Sequence, residues 1–267
     1  MPGSGTHTFL EPDHYEASLR QAQIEILIAL SPQFKARLTW AELHDLEVLR
    51  CEEDLTRVAY VCLSPQLSFV TFPAHSGPVP VWGGTELRPG EIVFHGRGER
   101  QHQSTPGSFV WNVIALDPLQ LEHYGRALSG KPFSLPSERK ILRPSPRDLA
   151  RLRRLHTQVC RLAETKPKLL AHTEVARAIE QGLIQTLVAC LTTPNIRADG
   201  AIKHRHARIM IRFEEVLAEH LSEPLQTTEL CELIGVTPAL VLRRIPWHEP
   251  GLICALAAVE ASTCRIA

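Results

Sequence analysis

Charge of one sign is missing from this chain: 29 Lys and Arg face 29 Asp and Glu across 267 residues. No global field therefore draws it to nucleic acid or to an anionic membrane. Long hydrophobic runs are missing too. The longest, Ile24 to Leu30, is interrupted by Glu25 and falls far short of a bilayer span. The first residues carry no cationic stretch leading into an apolar core, so no secretion signal is read. The seven cysteines (Cys51, Cys62, Cys160, Cys190, Cys231, Cys254 and Cys264) form no CxxC and no paired framework, and several sit on apolar faces. They read as buried, reduced thiols. These absences set the expectation of a soluble, cytoplasmic protein with no membrane partner.

Signatures of catalysis are equally scarce. There is no nucleophile elbow, no Walker loop and no dinucleotide fingerprint. His75, His95 and His102 include no His-x-His pair, and the nearest two are separated by a glycine-rich turn. His204 and His206 do have that spacing, but they precede a helical pattern and lack further ligands nearby. Gly96-Arg97-Gly98 has too few glycines to cradle a phosphate and is expected to turn a hairpin. No catalytic residue, metal or cofactor is expected, and an enzyme is the disfavoured class.

What is present begins with strands. Residues 1 to 8 read as disordered, and Tyr15 to Gln23 as a short helix or turn leading into the apolar run. Strand-like segments follow at Phe34–Leu38, Leu46–Cys51, Arg57–Leu63, Leu67–Phe72, Val79–Trp82, Glu91–His95 and Phe109–Leu116, with turn signals such as Ser64-Pro65, Gly83-Gly84 and Arg88-Pro89-Gly90 between them. Short strands at this spacing argue for a small antiparallel barrel or sandwich. If it binds a small molecule, aromatics on its walls are the best handles, and Trp82, Phe94 and Trp111 are the candidates; plain core is the competing reading for each.

Two helical patterns come next. Pro146 to Thr165 carries Leu149, Leu152, Leu155, Val159 and Leu162 on one stripe with arginines opposite, and Pro167 to Leu191 carries Leu170, Val175, Ile179, Leu183, Ile184 and Leu187. Two readings stay open: a hairpin that makes a homodimer, which the narrow stripes favour, or helices that pack back on the barrel. A polar linker spans 193–203.

The most informative stretch is Thr227 to Ile245. Leu230, Leu233 and Ile234 fall at helical spacing, Gly235 breaks the helix, Val236 plugs the corner, and small Cys231 lies where a second helix crosses. Thr237 is a good N-cap and Pro238 suits the first helical position. Two short helices about a glycine turn are how many DNA readers present a recognition helix, although an ordinary helix pair looks the same. The longer run RHARIMIRFEEVLAEHLSEPLQTTELCELIGV, with His220-Leu221-Ser222-Glu223-Pro224-Leu225 before the turn, resembles the start of the AraC/XylS-type DNA-binding domain. FLEPDHYEASLRQAQIEI and VPVWGGTELRPGEIVFHGRGERQHQ look like the regulatory half of that family, so the resemblance spans residues 9 to 245.

The resemblance implies an α+β chain with five parts: a cupin-like antiparallel barrel or sandwich over 9–145 that binds an effector, an amphipathic helical dimerisation hairpin over 146–192, a linker over 193–203, a partial all-α helix-turn-helix domain over 204–245, and a tail over 246–267 that matches nothing in the family. It also implies a regulator that reads the major groove through Thr237, Ala239, Leu240, Arg243 and Arg244. One residue more than the family pattern separates Thr237 from Leu242-Arg243-Arg244, which puts those assignments in doubt. Between Lys203 and Ile245, Lys203, Arg205, Arg208, Arg212, Arg243 and Arg244 are matched by Glu214, Glu215, Glu219, Glu223, Glu229 and Glu232. A DNA reader gains most of its affinity from cations on phosphates, so weak binding is expected.

The family's second helix-turn-helix unit is not found, which sets the expectation of a truncated reader whose binding is weak and mostly non-specific for want of that unit. Reading one base later from the Trp247 codon permits Gly-Met-Ser-Pro, and from Ile253 to Ala258 Tyr-Val-Arg-Leu-Arg-Arg, both family-like. A shifted reading frame near Ile245-Pro246 is the hypothesis, and the coding DNA tests it: an immediate stop in the other frame sinks it. The alternative function is a dimerising, effector-binding remnant that acts through protein contacts without touching DNA.

Overall fold

The computed structural model describes residues 2–28, 34–54, 56–74, 79–83, 85–192, 195–196, 212, 216 and 227–235, and the chain divides into two compact units, Met1–Ala198 and Asp199–Ala267.

The first unit is α+β. One sheet, of eight strands, runs in the order β1 (Gly3–Phe9), β3 (Ala36–Glu42), β4 (Leu46–Glu53), β11 (Phe109–Leu116), β6 (Ser68–Pro73), β9 (Ile92–His95), β12 (Lys140–Arg143) and β13 (Asn195–Ile196). The other has five, in the order β2 (Ala22–Ile28), β5 (Thr56–Leu63), β10 (Arg100–Pro106), β7 (Val81–Trp82) and β8 (Thr85–Glu86). Every pairing is antiparallel. Alternation decides the faces. On β5, Arg57, Ala59, Val61 and Leu63 are buried while Val58, Tyr60 and Cys62 between them are not. Odd-numbered residues of β4 and β11 (Leu49, Cys51, Phe109, Trp111, Val113) join that core between the sheets. Their even-numbered neighbours Leu46, Val48, Ile114 and Leu116 belong to a second core on the other side of the larger sheet.

That second core is closed by helices. α2 (Pro118–Ser129) starts on Asp117, whose carboxylate accepts from the Leu119 and Gln120 amides at 2.8 and 2.9 Å, and stops at Gly130 with φ of 64°. α3 (Pro146–Thr165) starts on Ser145, which accepts from the Asp148 amide at 3.1 Å, with Pro146 in its first turn. A short α4 (Pro167–Leu170) and α5 (Thr173–Thr192) replace the single helix expected over 167–191. Leu149, Leu152 and Val159 of α3, with Leu183, Ile184 and Leu187 of α5, pack with Val48, Phe72 and Ile114 of the sheet. The apolar stripes of the hairpin are thus consumed on the larger sheet, and α3 turns Arg147, Arg151, Arg154 and Arg161 outward.

Two buried polar side chains fasten this layer. Glu180 of α5 accepts from the His44 and Asp45 amides, both at 2.8 Å, capping the β3–β4 turn. His156 of α3 reaches the carbonyls of Leu49 and Val113, at 3.1 and 3.3 Å, on the adjacent strands β4 and β11. Both neighbours are acceptors, so Nε2 carries the proton, leaving Nδ1 facing Cys160 Sγ at 3.6 Å. Burial lowers the His156 pKa from 6.5 to about 4.

All seven expected strands are present, and five strands lie outside them and the Ile24–Leu30 run. The clearest correction concerns residues 1 to 8, which are not disordered: Gly3–Phe9 forms an edge strand paired with β3 from Gly3↔Glu42 to Phe9↔Ala36. Its glycines have a packing reason. A Cβ on Gly5 would stand 3.1 to 3.3 Å from the Trp40 indole, so a bare backbone lets that ring lie across the strand. The short helix expected near Tyr15 is α1 (Pro12–Ser18). Gly96-Arg97-Gly98 does turn the chain, with Gly98 at φ of 61°, but it carries β9 of one sheet into β10 of the other and closes no hairpin.

The described cysteines, Cys51, Cys62, Cys160, Cys190 and Cys231, are free thiols. Among the described residues no helix is long and apolar enough to cross a membrane. In the second unit, α6 (Thr227–Leu233) is the described helix.

Candidate functional site

A polar belt crosses the interior between the sheets. At the start of β5, Arg57 stands in the buried row that continues as Ala59, Val61 and Leu63. Its Nε donates to Glu53 Oε2, both side chains being 1% exposed, and its Nη2 donates to Gln103 Oε1 at 3.3 Å. The other Glu53 oxygen accepts from the Tyr15 hydroxyl at 2.9 Å and from the Trp111 indole N–H at 3.1 Å. A buried carboxylate with three donors and a paired guanidinium is a satisfied arrangement, which is the condition for burying charge at all. The Arg57 guanidinium carbon also lies 6.0 Å from the Trp111 ring centroid. Burial first, then the neighbouring Cys51 and Glu53, push the Tyr15 hydroxyl well above its ordinary pKa, so it stays a donor.

A second group continues the belt. His95 Nε2 lies 2.8 Å from the Thr71 hydroxyl, and its Nδ1 lies 3.2 Å from Glu99 Oε2 and 3.4 Å from Gln101 Nε2. Arg139, from the segment before β12, donates to the Trp82 and Gly83 carbonyls and to Gln101 Oε1 at 2.9 to 3.1 Å, with its Nε 3.6 Å from Glu99. Gly83 is held at φ of 51°, and a Cβ there would run into the Arg139 guanidinium. Both the left-handed backbone and the close approach require glycine.

The two groups meet at the tryptophans. Trp82 stacks edge-on to Trp111 at 6.5 Å between centroids and lies 6.4 Å from the His95 ring. Cross-strand register puts Trp82 opposite Gln103, and Thr105 opposite Arg57, so Gln101, Gln103 and Thr105 share the inner face of β10. Of the three aromatics expected to line a site, Trp82 and Trp111 are brought together in the core between the sheets; Phe94 lies in the other core, beneath the helices. His95 faces the interior and His102 the outer side of the smaller sheet, against Tyr60 at 5.1 Å, while His75 lies outside the described residues. Among the described residues no group of three or more His, Cys, Asp or Glu side chains could hold a metal ion.

Sequence reasoning passed over Glu53, Arg57, Tyr15, Gln103 and Thr105. One signal was available: an arginine heading the alternating apolar row Ala59, Val61, Leu63 points inward by period alone.

In the second unit, α6 keeps Cys231 buried and turns Glu229, Glu232 and Leu233 outward, and Ile234 just past its end is buried too. It ends where expected: Gly235 has φ of 69°, and its amide donates to the Glu232 carbonyl at 3.1 Å. The residues expected to face DNA, Thr237, Ala239, Leu240, Arg243 and Arg244, lie outside the described residues, as does Val236.

No protein-family model matches the chain, and no curated protein matches it in sequence. Among solved structures it is similar to the AraC-like transcriptional activator CuxR, at 14% identity and a TM-score of 0.49, over 99% of this chain and 95% of that one. It is also similar to ToxT from Vibrio cholerae O395 bound to (E)-4-(8-methylnaphthalen-1-yl)but-3-enoic acid, at 7% identity and a TM-score of 0.35, over 76% of each chain. A second ToxT structure from Vibrio cholerae gives 8% identity and a TM-score of 0.34, over 78% of this chain and 79% of that one.

Proposed function

We propose that this chain is a DNA-binding transcription regulator of the AraC/XylS kind, in which the sandwich senses a small molecule and a helix-turn-helix reads the major groove. The observation that carries the reading is local. A helix with buried Cys231 runs through buried Ile234 into a left-handed Gly235, directly before the Thr237-Pro238 helix-start signal. The sequence run leading into it, which resembles the family's reader, supports the same conclusion. Thr237, Ala239, Leu240, Arg243 and Arg244 are the proposed contacts, with the homodimer bringing two copies of the reader to one site. The interior belt around Trp82 and Trp111 is the proposed effector site.

Six cations balanced by six carboxylates between Lys203 and Ile245 limit the electrostatic part of binding. A mobility-shift assay on the DNA upstream of the gene is expected to show weak, largely non-specific retardation at physiological salt. Arg243→Ala and Arg244→Ala each lower the salt slope by about one where the side chain meets a phosphate. Tight, sequence-specific binding refutes the charge limit, and no retardation even at low salt refutes the regulator. In that event the dimerising remnant is the remaining reading, and size-exclusion chromatography of the intact chain with light scattering decides it: a monomer rules it out.

A further inference from the structure

Three polar atoms of the belt have no hydrogen-bond partner among the described residues: Arg57 Nη1, the Trp82 indole Nε1 and the Thr105 hydroxyl. All three residues are 1% exposed, so solvent does not serve them. They are neighbours by register. Thr105 pairs with Arg57 across β10 and β5, and Gln103, two residues from Thr105, pairs with Trp82 on one side and with Ala59 on the other. Ala59 presents the smallest side chain of that inner row. An orphaned buried donor loses its water and gains nothing in return. Three gathered on one inner surface are what a site looks like whose remaining hydrogen bonds are supplied by a guest.

The chemistry of that guest follows from charge and donor count. Glu53 neutralises Arg57, and Glu99 neutralises Arg139, so an anion would enter the interior as a charge without a counter-ion. The unpartnered set offers N–H and O–H groups, of which the Thr105 hydroxyl alone accepts as well. Unpartnered buried acceptors among the described residues lie elsewhere. Asn112 faces the helical side of its sheet, Ser4 lies on the edge strand β1 opposite Ala41, and Glu47 sits on β4 roughly 20 Å from Glu53 along the strand. A polyhydroxylated guest would leave its own donors unmatched.

Resting on the reading of the sandwich as the sensing half, we propose that the site takes an uncharged, largely apolar organic molecule whose carbonyl or ester oxygens accept from Arg57, Trp82 and Thr105. Ketones, lactones and esters fit, and carboxylates and sugars do not.

The test uses ¹⁵N-labelled full-length chain and matched fragment pairs: acetophenone with benzoate, cyclohexanone with cyclohexanecarboxylate, and γ-butyrolactone with γ-hydroxybutyrate. The Trp82 indole N–H resonance, assigned by its loss in Trp82→Phe, is expected to move with the neutral member of at least one pair and not with its anion. Thr105→Val removes one donor without changing side-chain shape, so it folds with an unchanged or higher Tm and binds the same fragment roughly two- to tenfold more weakly. The proposal is overturned when anions move the Trp82 signal more than their neutral partners, when no neutral fragment moves it, or when Thr105→Val leaves affinity unchanged. Failure of the DNA-reading half leaves this titration intact, since the titration contains no DNA; the mobility shift reports on that half alone.

Discussion

Glu53→Ala is expected to remove about 3–5 kcal/mol of stability, enough to unfold much of the first unit under ordinary conditions. The substitution leaves the Arg57 guanidinium 1% exposed with no counter-charge, and strips the acceptor from the Tyr15 hydroxyl and the Trp111 indole N–H at once. The loss comes from stranded charge more than from the worth of the pair itself. The double variant Glu53→Leu with Arg57→Met is therefore expected to recover only the part owed to stranded charge, because the Tyr15 hydroxyl and the Trp111 indole N–H still lack their acceptor. Urea denaturation of wild type, single and double variants measures both. A single variant within about 1 kcal/mol of wild type would mean that the guanidinium finds water in the folded state.

Acidification from pH 7 to 4.5 is expected to cost wild type about 2–3 kcal/mol more than it costs His156→Gln. The sign follows from where the proton goes. In the unfolded chain the imidazole protonates near its ordinary value of 6.5, whereas in the folded chain burial holds it neutral until about pH 4. Above 6.5 the two states bind the same number of protons, and the native state bears no penalty. Between 6.5 and about 4 the unfolded state takes up a proton that the native state refuses, so stability falls as pH falls. Glutamine retains an N–H for the Leu49 and Val113 carbonyls but does not titrate, so the difference between the two urea midpoints isolates this residue. Equal slopes for both proteins would place His156 in contact with water.

Much of this fold was legible because its physics is local. Ser145-Pro146 marks the start of α3 to the residue, since a hydroxyl cap and a fixed φ act within one turn. Gly235 marks the end of α6 for the same reason. The expected strand β5 shows an alternation in which one face avoids water, and β6 and β9 are short apolar runs bounded by turn signals. β10 (Arg100–Pro106) escaped because both of its faces are polar: Gln101, Gln103 and Thr105 turn inward for the belt while Arg100, His102 and Ser104 turn outward. β1 escaped because glycines placed for close approach to Trp40 look like the glycines of a tail.

Phe94 shows a different limit. β9 is buried on both faces, so Ile92, Val93 and Phe94 carry no alternation that tells which side each one takes. The site itself depends on pairing between strands far apart in sequence, such as Glu53 with Trp111 and Gln101 with Arg139, and no local pattern encodes those meetings. The reader's contacts, from Thr237 onward, lie outside the described residues, and there the sequence pattern alone places them.

The strand order of the larger sheet has a consequence for synthesis. Its two edges, β1 and β13, come from the opposite ends of the first unit, and the helices that roof its second core are all made after β11, with α3 and α5 following β12 and preceding only β13. A ribosome-bound chain that has just completed β11 presents Val48, Phe72, Ile114 and Leu116 to solvent with no roof. That apolar face is covered only when α3 and α5 emerge, so for an interval during elongation this sheet is a natural client for a chaperone that shields hydrophobic surface.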